Sequence, residues 1–536
     1  MNSKTQNFTL VIFGASGNLT RRKLIPALFQ LFQKERLPRN FSIVGVARTQ
    51  MTDEEWAQSL ENHVPWYESD ARFTEKWTEF AQHLVYFPGD GTRLEVTRRL
   101  ESFLGFLENE EPTTRIFYLA TAPNLYQPIL GAITNGVTKL AEVGIPYRIV
   151  VEKPFGSDLE SAVRLNAALH GIFREDQIFR IDHYLGKETA RNLLVMRFAN
   201  SIFEPIWNRH FIQDVQITAN EQTLVGRRAA YFNQSGILRD MFQNHLLQLL
   251  TLTAMEPPAR MDSESIRDEK VKVLHSIRPF ASPYEVETHT LRGQYLQPPF
   301  VLGEEEESLE PSTPTFAAVS FHVENWRWKG VPFFVRSGKG MSCRTTQIIL
   351  RFRQPPQLLF PGNEACKPDV LLIQLQPAEG IQLYFQTKVP DTKMEISQAA
   401  MQFRFAQSFG PMPDAYERLL MDVIRADSGL FIRSDEVEAA WKIIDPIQRA
   451  WDGPLHEVPL AYPIGSWGPK GAEHWIERQG SSWFNLCPVL HEGRKEEKSG
   501  KVTEEMESPQ NPKVFPLKEI LPFPNAPKSD GIQIAP

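Results

Sequence analysis

Residues 8–23 read FTLVIFGASGNLTRRK: a short apolar run, two glycines, then a stretch that turns amphipathic. FTLVIF (Phe8–Phe13) is a strand candidate, and the residues from 21 to 33 carry their apolar side chains at helical spacing. Gly14 and Gly17 fall at the turn between strand and helix. Glycines there let the backbone approach a pyrophosphate, while the helix N-terminus offers free N–H groups and a positive dipole end. The full GxGxxG fingerprint is absent, so the turn by itself is equally compatible with a plain tight connection.

Working outward, the same alternation recurs. SIVGVA (42–47), LVYF (84–87), RIFYLA (115–120) and YRIVVE (147–152) read as strands, with helices expected near 53–63, 92–106 and 124–135. Such alternation predicts a parallel sheet covered by helices. Beyond residue 180 the pattern changes to long strands such as FIQDVQITAN, AAVSFHVENW, QIILRF and IQLYFQTK, interrupted by helices near 187–197, 236–253 and 414–425. The predicted fold is therefore an α/β N-terminal Rossmann-like dinucleotide-binding domain (1–180) followed by an α+β domain with a large, mainly antiparallel sheet (181–486). In residues 487–536, charge runs and prolines replace the hydrophobic pattern, which predicts a disordered or loosely docked tail. Within it VFPLKEILPF (514–523) is apolar enough to dock on the protein's own surface.

Composition narrows the class of partner. With 536 residues, 23% charged side chains and a formal charge of −7, the chain has neither the basic surface for nucleic acid nor that for an anionic membrane. The three cysteines, Cys343, Cys366 and Cys487, lie far apart and form no CxxC pair, so neither a disulfide framework nor a zinc site is expected. A reducing compartment fits this usage, and no apolar run has the length of a signal peptide or a membrane span. A cytoplasmic location and no metal are expected.

Three segments carry chemistry. At the end of the second strand an NAD enzyme usually places an acid for the ribose, whereas this chain has Arg48 and Thr49. An arginine there suits a 2′-phosphate and hence NADP; the other reading is an exposed loop residue. In EKPFG (152–156), Pro154 ends the fifth strand at the sheet's carboxyl edge, so Lys153 projects into the ligand crevice or into solvent. RIDHYLGKE (180–188) offers imidazole, phenol and ammonium donors at His183, Tyr184 and Lys187, an inventory suited to a phosphate monoester, with Gly186 relaxing the turn. Asp182 is repelled by phosphate and is expected to face a histidine. His245 and Asp240 interrupt the apolar pattern of GILRDMFQNHLLQLL (236–250). A lone histidine on such a helix is commonly a satisfied interior residue, but with Asp182 it would form an Asp–His general base.

Together with RDEKVKVL (267–274), GVPFFVRSGKG (330–340) and YPIGSWGP (462–469), these segments resemble the glucose-6-phosphate dehydrogenase family over residues 8–484. The resemblance implies oxidation of glucose 6-phosphate with NADP in the pentose phosphate pathway, and a homodimer or homotetramer built through the large sheet. It assigns His245 as the base and Asp182 as its partner. Lys153, His183, Tyr184, Lys187, Glu221, Asp240, Lys339 and Arg344 match substrate-binding positions. Gly14, Ala15, Ser16, Gly17, Asn18, Leu19, Lys23, Arg48 and Lys153 match cofactor-binding ones. Asn18 departs from the family's aspartate, although asparagine also caps helices. Arg344 stands where many bacterial members hold lysine, and Gln374 where some members hold an arginine for a second, structural NADP. Two rival readings are a sugar dehydrogenase like glucose-fructose oxidoreductase, which shares the EKP lysine, and a catalytically silent NADP and sugar-phosphate sensor.

Overall fold

The computed structural model describes residues 7–488 apart from 65–72, 109–112, 297–307, 356–366, 454 and 456. The expected docking segment 514–523 lies outside the described residues. Six strands form the first sheet: β1 (Phe8–Phe13), β2 (Phe41–Ala47), β3 (Leu84–Pro88), β4 (Thr114–Leu119), β5 (Tyr147–Val151) and β6 (Ile178–Arg180). Their order is β3-β2-β1-β4-β5-β6, and every neighbouring pair is parallel. Winding reverses between β1 and β4, which opens a crevice at the carboxyl ends of the strands. β1 and β4 are buried along their whole length, the reason they read as mainly apolar runs, with the buried Arg115 of β4 paired to Glu101 and Glu108.

The second sheet has nine strands: β7 (Ile212–Asn220), β8 (Thr290–Tyr295), β9 (Phe316–His322), β10 (Pro332–Gly338), β11 (Thr345–Phe352), β12 (Val370–Gln376), β13 (Gly380–Lys388), β14 (Ile396–Arg404) and β15 (Leu460–Tyr462). Spatially they run β14-β13-β12-β11-β7-β10-β9-β8-β15. The sheet is mainly antiparallel, as expected, with parallel pairing at β7–β10 and β8–β15. The helix Ala415–Arg425 leaves this half of the chain to cover the first sheet: Leu419, Leu420 and Val423 share a core with β1 and β2. Arg148 on β5 ties that helix down by donating to the carbonyls of Val423 and Ile424, each at 3.1 Å.

Two expectations are corrected. The helix anticipated at 236–253 is three pieces: Ala229–Ile237 with a break at Gly236 (φ 60°), a π-helix Leu238–Leu246, and Leu247–Ala254. Apolar spacing over so short a stretch does not separate a 3.6-residue turn from a wider one. Cys343 and Cys487 are joined by a disulfide, with Cα atoms 6.0 Å apart and 144 residues between them in sequence. Spacing rules see only near neighbours; here the sheet brings a strand-connecting loop and the end of the described chain together. No helix among the described residues is long and apolar enough to cross a membrane.

Candidate active site

The segment after β6 starts from a fixed base. Arg180 is buried and donates to Glu175 Oε1 at 2.7 Å and Asn166 Oδ1 at 3.0 Å, so the chain leaves the sheet at a defined point. Two residues on, Asp182 Oδ1 accepts from His245 Nδ1 at 2.5 Å and from the Tyr184 backbone N–H at 2.9 Å. A carboxylate can only accept, so the imidazole proton sits on Nδ1 and Nε2 carries the lone pair. Nε2 makes no hydrogen bond among the described residues. Burial raises the Asp182 carboxyl, but the charge and hydrogen bond of His245 outweigh it and hold the pKa at about 2. Burial and the nearby Lys153 lower His245 against the pull of Asp182, leaving a neutral imidazole beside an ionised carboxylate. Tyr184 stacks on His245 at 4.2 Å between ring centroids, and His183 meets it edge-on at 4.6 Å.

The π-helix decides what else reaches this pair. In an α-helix, residues five apart point about 140° away from each other; π-helical i→i+5 bonding brings them to one side. Asp240 and His245 are five apart, and Lys153 bears on both. Lys153 Nζ donates to the Asp240 carbonyl at 3.0 Å and approaches its carboxylate at 3.4 Å. Lys339 Nζ approaches the other carboxylate oxygen at 3.0 Å and donates to Glu221 Oε2 at 2.6 Å. The result is an alternating array, Lys153–Asp240–Lys339–Glu221. Burial raises Asp240, yet its two lysines drive its pKa far down; the same carboxylates overcome burial and raise Lys339. Asp240 and Lys339 are thus held in their charged forms, and the array presents polar atoms suited to sugar hydroxyls.

Beside the array lies a cavity of about 570 Å³ whose lining includes Lys23, His183, Tyr184, Lys187, Glu221 and Arg344. Lys187 is the N-cap residue of the helix Glu188–Phe198, and burial lowers its pKa. Burial also lowers His183 strongly. Lys23, which the sequence groups with the glycine turn, instead faces this cavity and pairs with Asp414 at 2.8 Å. Gly186 serves close packing rather than turn flexibility: a Cβ there would lie 2.8 Å from the Ala415 carbonyl oxygen. Asp182, His183 and His245 also bring potential metal-ligand atoms within 4.8 Å of one another, a cluster from two distant segments. The charges of Lys153 and Lys187 beside His183 oppose a cation there.

At the other end of the crevice, Gly14 has φ +96° and a Cβ on it would stand 2.4 Å from the Ala120 carbonyl oxygen. Only glycine lets β1 turn this tightly against the end of β4. Gly17 N donates to Gly14 O at 2.9 Å, and Thr20 Oγ1 donates to the same oxygen at 3.0 Å. Asn18, although of a type that can cap, makes no side-chain cap here, and Thr20 closes the turn through the Gly14 carbonyl. The backbone N–H groups of Ser16, Asn18 and Leu19 donate to no acceptor among the described residues. Three free donors and a helix start over the sheet's carboxyl edge fit a pyrophosphate. Arg48 is exposed directly after β2, which pairs with β1 beside this turn.

Several residues of the crevice escaped the sequence. Glu152 Oε1 accepts from Tyr118 at 2.6 Å and Tyr416 at 3.1 Å, joining β4 and β5 to the helix Ala415–Arg425 immediately before Lys153. Its adjacency to Lys153 in EKPFG is the one local signal for it. Gln376 donates to the Tyr184 hydroxyl at 3.2 Å and to Thr346 Oγ1 at 2.8 Å. Gln374 spends its amide on Thr345 Oγ1 at 3.0 Å and the Gln376 carbonyl at 2.6 Å, so it is committed to protein partners.

Residues 11–192 match the family described as glucose-6-phosphate dehydrogenase, NAD binding domain, and residues 194–484 its C-terminal domain. The chain is 43% identical over 507 residues to the glucose-6-phosphate 1-dehydrogenase of Treponema pallidum (strain Nichols), covering 90% of this chain and 96% of that protein. It is 43% identical over 488 residues to the namesake from Mycolicibacterium smegmatis, covering 88% and 96%. A solved glucose-6-phosphate dehydrogenase in complex with its substrate glucose-6-phosphate superposes with a TM-score of 0.82 at 32% identity, over 90% of this chain and all of that one. With both domain families matched in order along a dinucleotide fold and a large second sheet, this chain belongs to the glucose-6-phosphate dehydrogenase family.

Proposed function

We propose that the chain oxidises glucose 6-phosphate to 6-phosphoglucono-1,5-lactone with NADP, the first step of the oxidative pentose phosphate pathway. The observation that carries this reading is the buried Asp182–His245 hydrogen bond, next in sequence to His183, Tyr184 and Lys187, which line the cavity. The family membership and the substrate named for its solved relative support it.

In this mechanism Lys187, His183 and Tyr184 hold the phosphate, with Arg344 at the cavity rim. Glu221, Asp240 and Lys339 receive the sugar hydroxyls, and Lys153 donates between sugar and cofactor. His245 Nε2 takes the proton of the C1 hydroxyl as base. Asp182 keeps the imidazole in the required tautomer and stabilises the imidazolium. NADP held at the glycine turn would supply the hydride acceptor for C1. The turn residues Gly14 to Leu19 hold the pyrophosphate, and Arg48 the 2′-phosphate. We infer a division of the chain near residue 180. We also infer a homodimer or homotetramer, for which the exposed Met401 and Phe403 on β14 offer apolar surface.

The direct test follows NADPH absorbance on mixing the purified chain with NADP and glucose 6-phosphate. Turnover is expected, with unphosphorylated glucose a far poorer substrate. A folded chain without turnover removes the enzyme reading, and equal use of both sugars removes the phosphate cavity. For cofactor choice, Arg48→Ala is expected to raise KM for NADP by roughly tenfold or more, through loss of a charge-assisted contact, while NAD kinetics hardly change. Equal losses with both cofactors would place Arg48 away from the 2′-phosphate.

A further inference from the structure

We propose that Glu436 is a positioning residue for the base: from the first turn of one helix it fixes where His245 stands relative to Asp182. The inference rests on the reading of His245 as that base. Asp182 follows β6 and His245 belongs to the π-helix, 63 residues further along the chain. Their hydrogen bond works in catalysis only if both side chains are held to within about 0.5 Å, which the two segments must owe to something outside themselves.

The helix Ser434–Asp452 bonds to both segments at its start. On the Asp182 side, Ser434 N donates to Glu175 Oε1 at 3.1 Å, the oxygen that also accepts from Arg180 Nη1 at 2.7 Å. Asn166, whose Oδ1 accepts from Arg180, donates through Nδ2 to Glu438 Oε1 at 3.0 Å. Arg180 stands two residues before Asp182. On the His245 side, Glu436 Oε2 accepts from Gln248 Nε2 at 3.2 Å, and Gln248 lies in the first turn of the helix Leu247–Ala254, three residues past His245. The same oxygen pairs with Lys270 Nζ at 2.8 Å, while Oε1 accepts from Arg433 N at 3.1 Å. Lys270 comes from RDEKVKVL, and neither it nor Glu436 reaches solvent.

A buried ion pair is a poor source of stability, because desolvating both charges offsets their attraction. Its use here is directional. Lys270 fixes the Glu436 carboxylate, the carboxylate holds Gln248, and Gln248 holds the turn beyond the base. Ser434 and Glu438 act through Glu175 and Asn166 on the residues ahead of Asp182. One helix end therefore sets the two halves of the dyad against each other. Trp441 of the same helix donates Nε1 to the Phe155 carbonyl at 2.9 Å, which extends the frame to EKPFG, two residues past Lys153. Without the Gln248 contact the end of the π-helix gains freedom, and the imidazole spends less time in line with Asp182 and C1. The substrate is still held, since Lys187, His183 and Arg344 stand on other elements and Asp240, at the other end of the π-helix, keeps its two lysines.

The test uses three variants of the full chain. Gln248→Met removes the contact and leaves the ion pair intact; it should lower kcat about tenfold, with KM for glucose 6-phosphate changed less than about threefold. Lys270→Met with Glu436→Leu replaces the pair by apolar side chains of similar size, a change that buried pairs tolerate in stability, and should show the same loss of kcat. Lys270→Met with Glu436→Gln should return kcat to within about twofold of the parent. There Gln248 turns its amide so that Oε1, which has no partner among the described residues, accepts from the new amide, and Arg433 N keeps its acceptor. The far-downfield proton resonance of His245 Nδ1–H, identified by its loss in His245→Asn, reads the dyad without turnover. It should broaden in Gln248→Met and in the leucine variant and persist in the glutamine variant, which separates failure here from failure of His245 as base. A parental kcat and resonance in Gln248→Met, a loss that falls on KM, or equal losses in the leucine and glutamine variants would each overturn the proposal.

Discussion

His245→Asn is expected to lower kcat by about 10²–10⁴-fold, the usual worth of a positioned general base, while KM for glucose 6-phosphate stays within about threefold. Asparagine can still donate an amide hydrogen to Asp182, so the buried carboxylate keeps a partner and the fold is preserved. What it cannot do is accept the C1 proton. The pH dependence gives a second reading of the same group. The base must be neutral, so activity is lost as pH falls through its pKa, and burial has moved that pKa below the ordinary 6.5 of histidine. The acid limb of kcat/KM in the parent enzyme should accordingly lie below pH 6.5, and the variant should lack it. Near-normal turnover, or an unchanged acid limb in the variant, would take His245 out of the role of base.

Lys187→Ala is expected to reduce kcat/KM for glucose 6-phosphate by roughly 10- to 100-fold, as removal of one charge-assisted contact to phosphate costs about 1.5–3 kcal/mol. The loss should fall on KM, because the phosphate is remote from C1. Unphosphorylated glucose supplies the control: its slow turnover should be nearly the same in parent and variant. Steady-state kinetics with both sugars decides the matter. Parallel losses with the two substrates would mean that Lys187 supports the fold or the dyad instead of the phosphate. Burial makes the ammonium easier to neutralise, and in the same cavity the strongly lowered His183 can offer only a neutral N–H donor, so Arg344 at the rim is expected to share the phosphate with Lys187.

What could be read from the sequence was what is local. The first sheet was legible because buried parallel strands are continuous apolar words between turns, and β1 matches its expected bounds. His183, Tyr184 and Lys187 were legible because one short segment carries all three into one cavity. The array of Lys153, Asp240, Lys339 and Glu221 is different. Its members come from four elements, and only the parallel pairing of β7 with β10 puts Glu221 beside Lys339. Without the resemblance to a family, no pattern in the chain announced that pairing. Glu152 with its two tyrosines, and the disulfide, were hidden for the same reason. Asn18 shows the limit of propensity: asparagine is able to cap, but no side-chain cap forms here, and Thr20 fastens the turn by donating to the Gly14 carbonyl.

The π-helix from Leu238 to Leu246 makes residue count itself part of the site. Were the same residues to relax to an ordinary α-helix, every functional side chain would be kept and yet Asp240 and His245, five apart, would point about 140° away from each other. Grafting these residues onto an α-helical scaffold at the same spacing would fail for that reason. The transferable unit is the widened backbone turn, and the side chains follow from it.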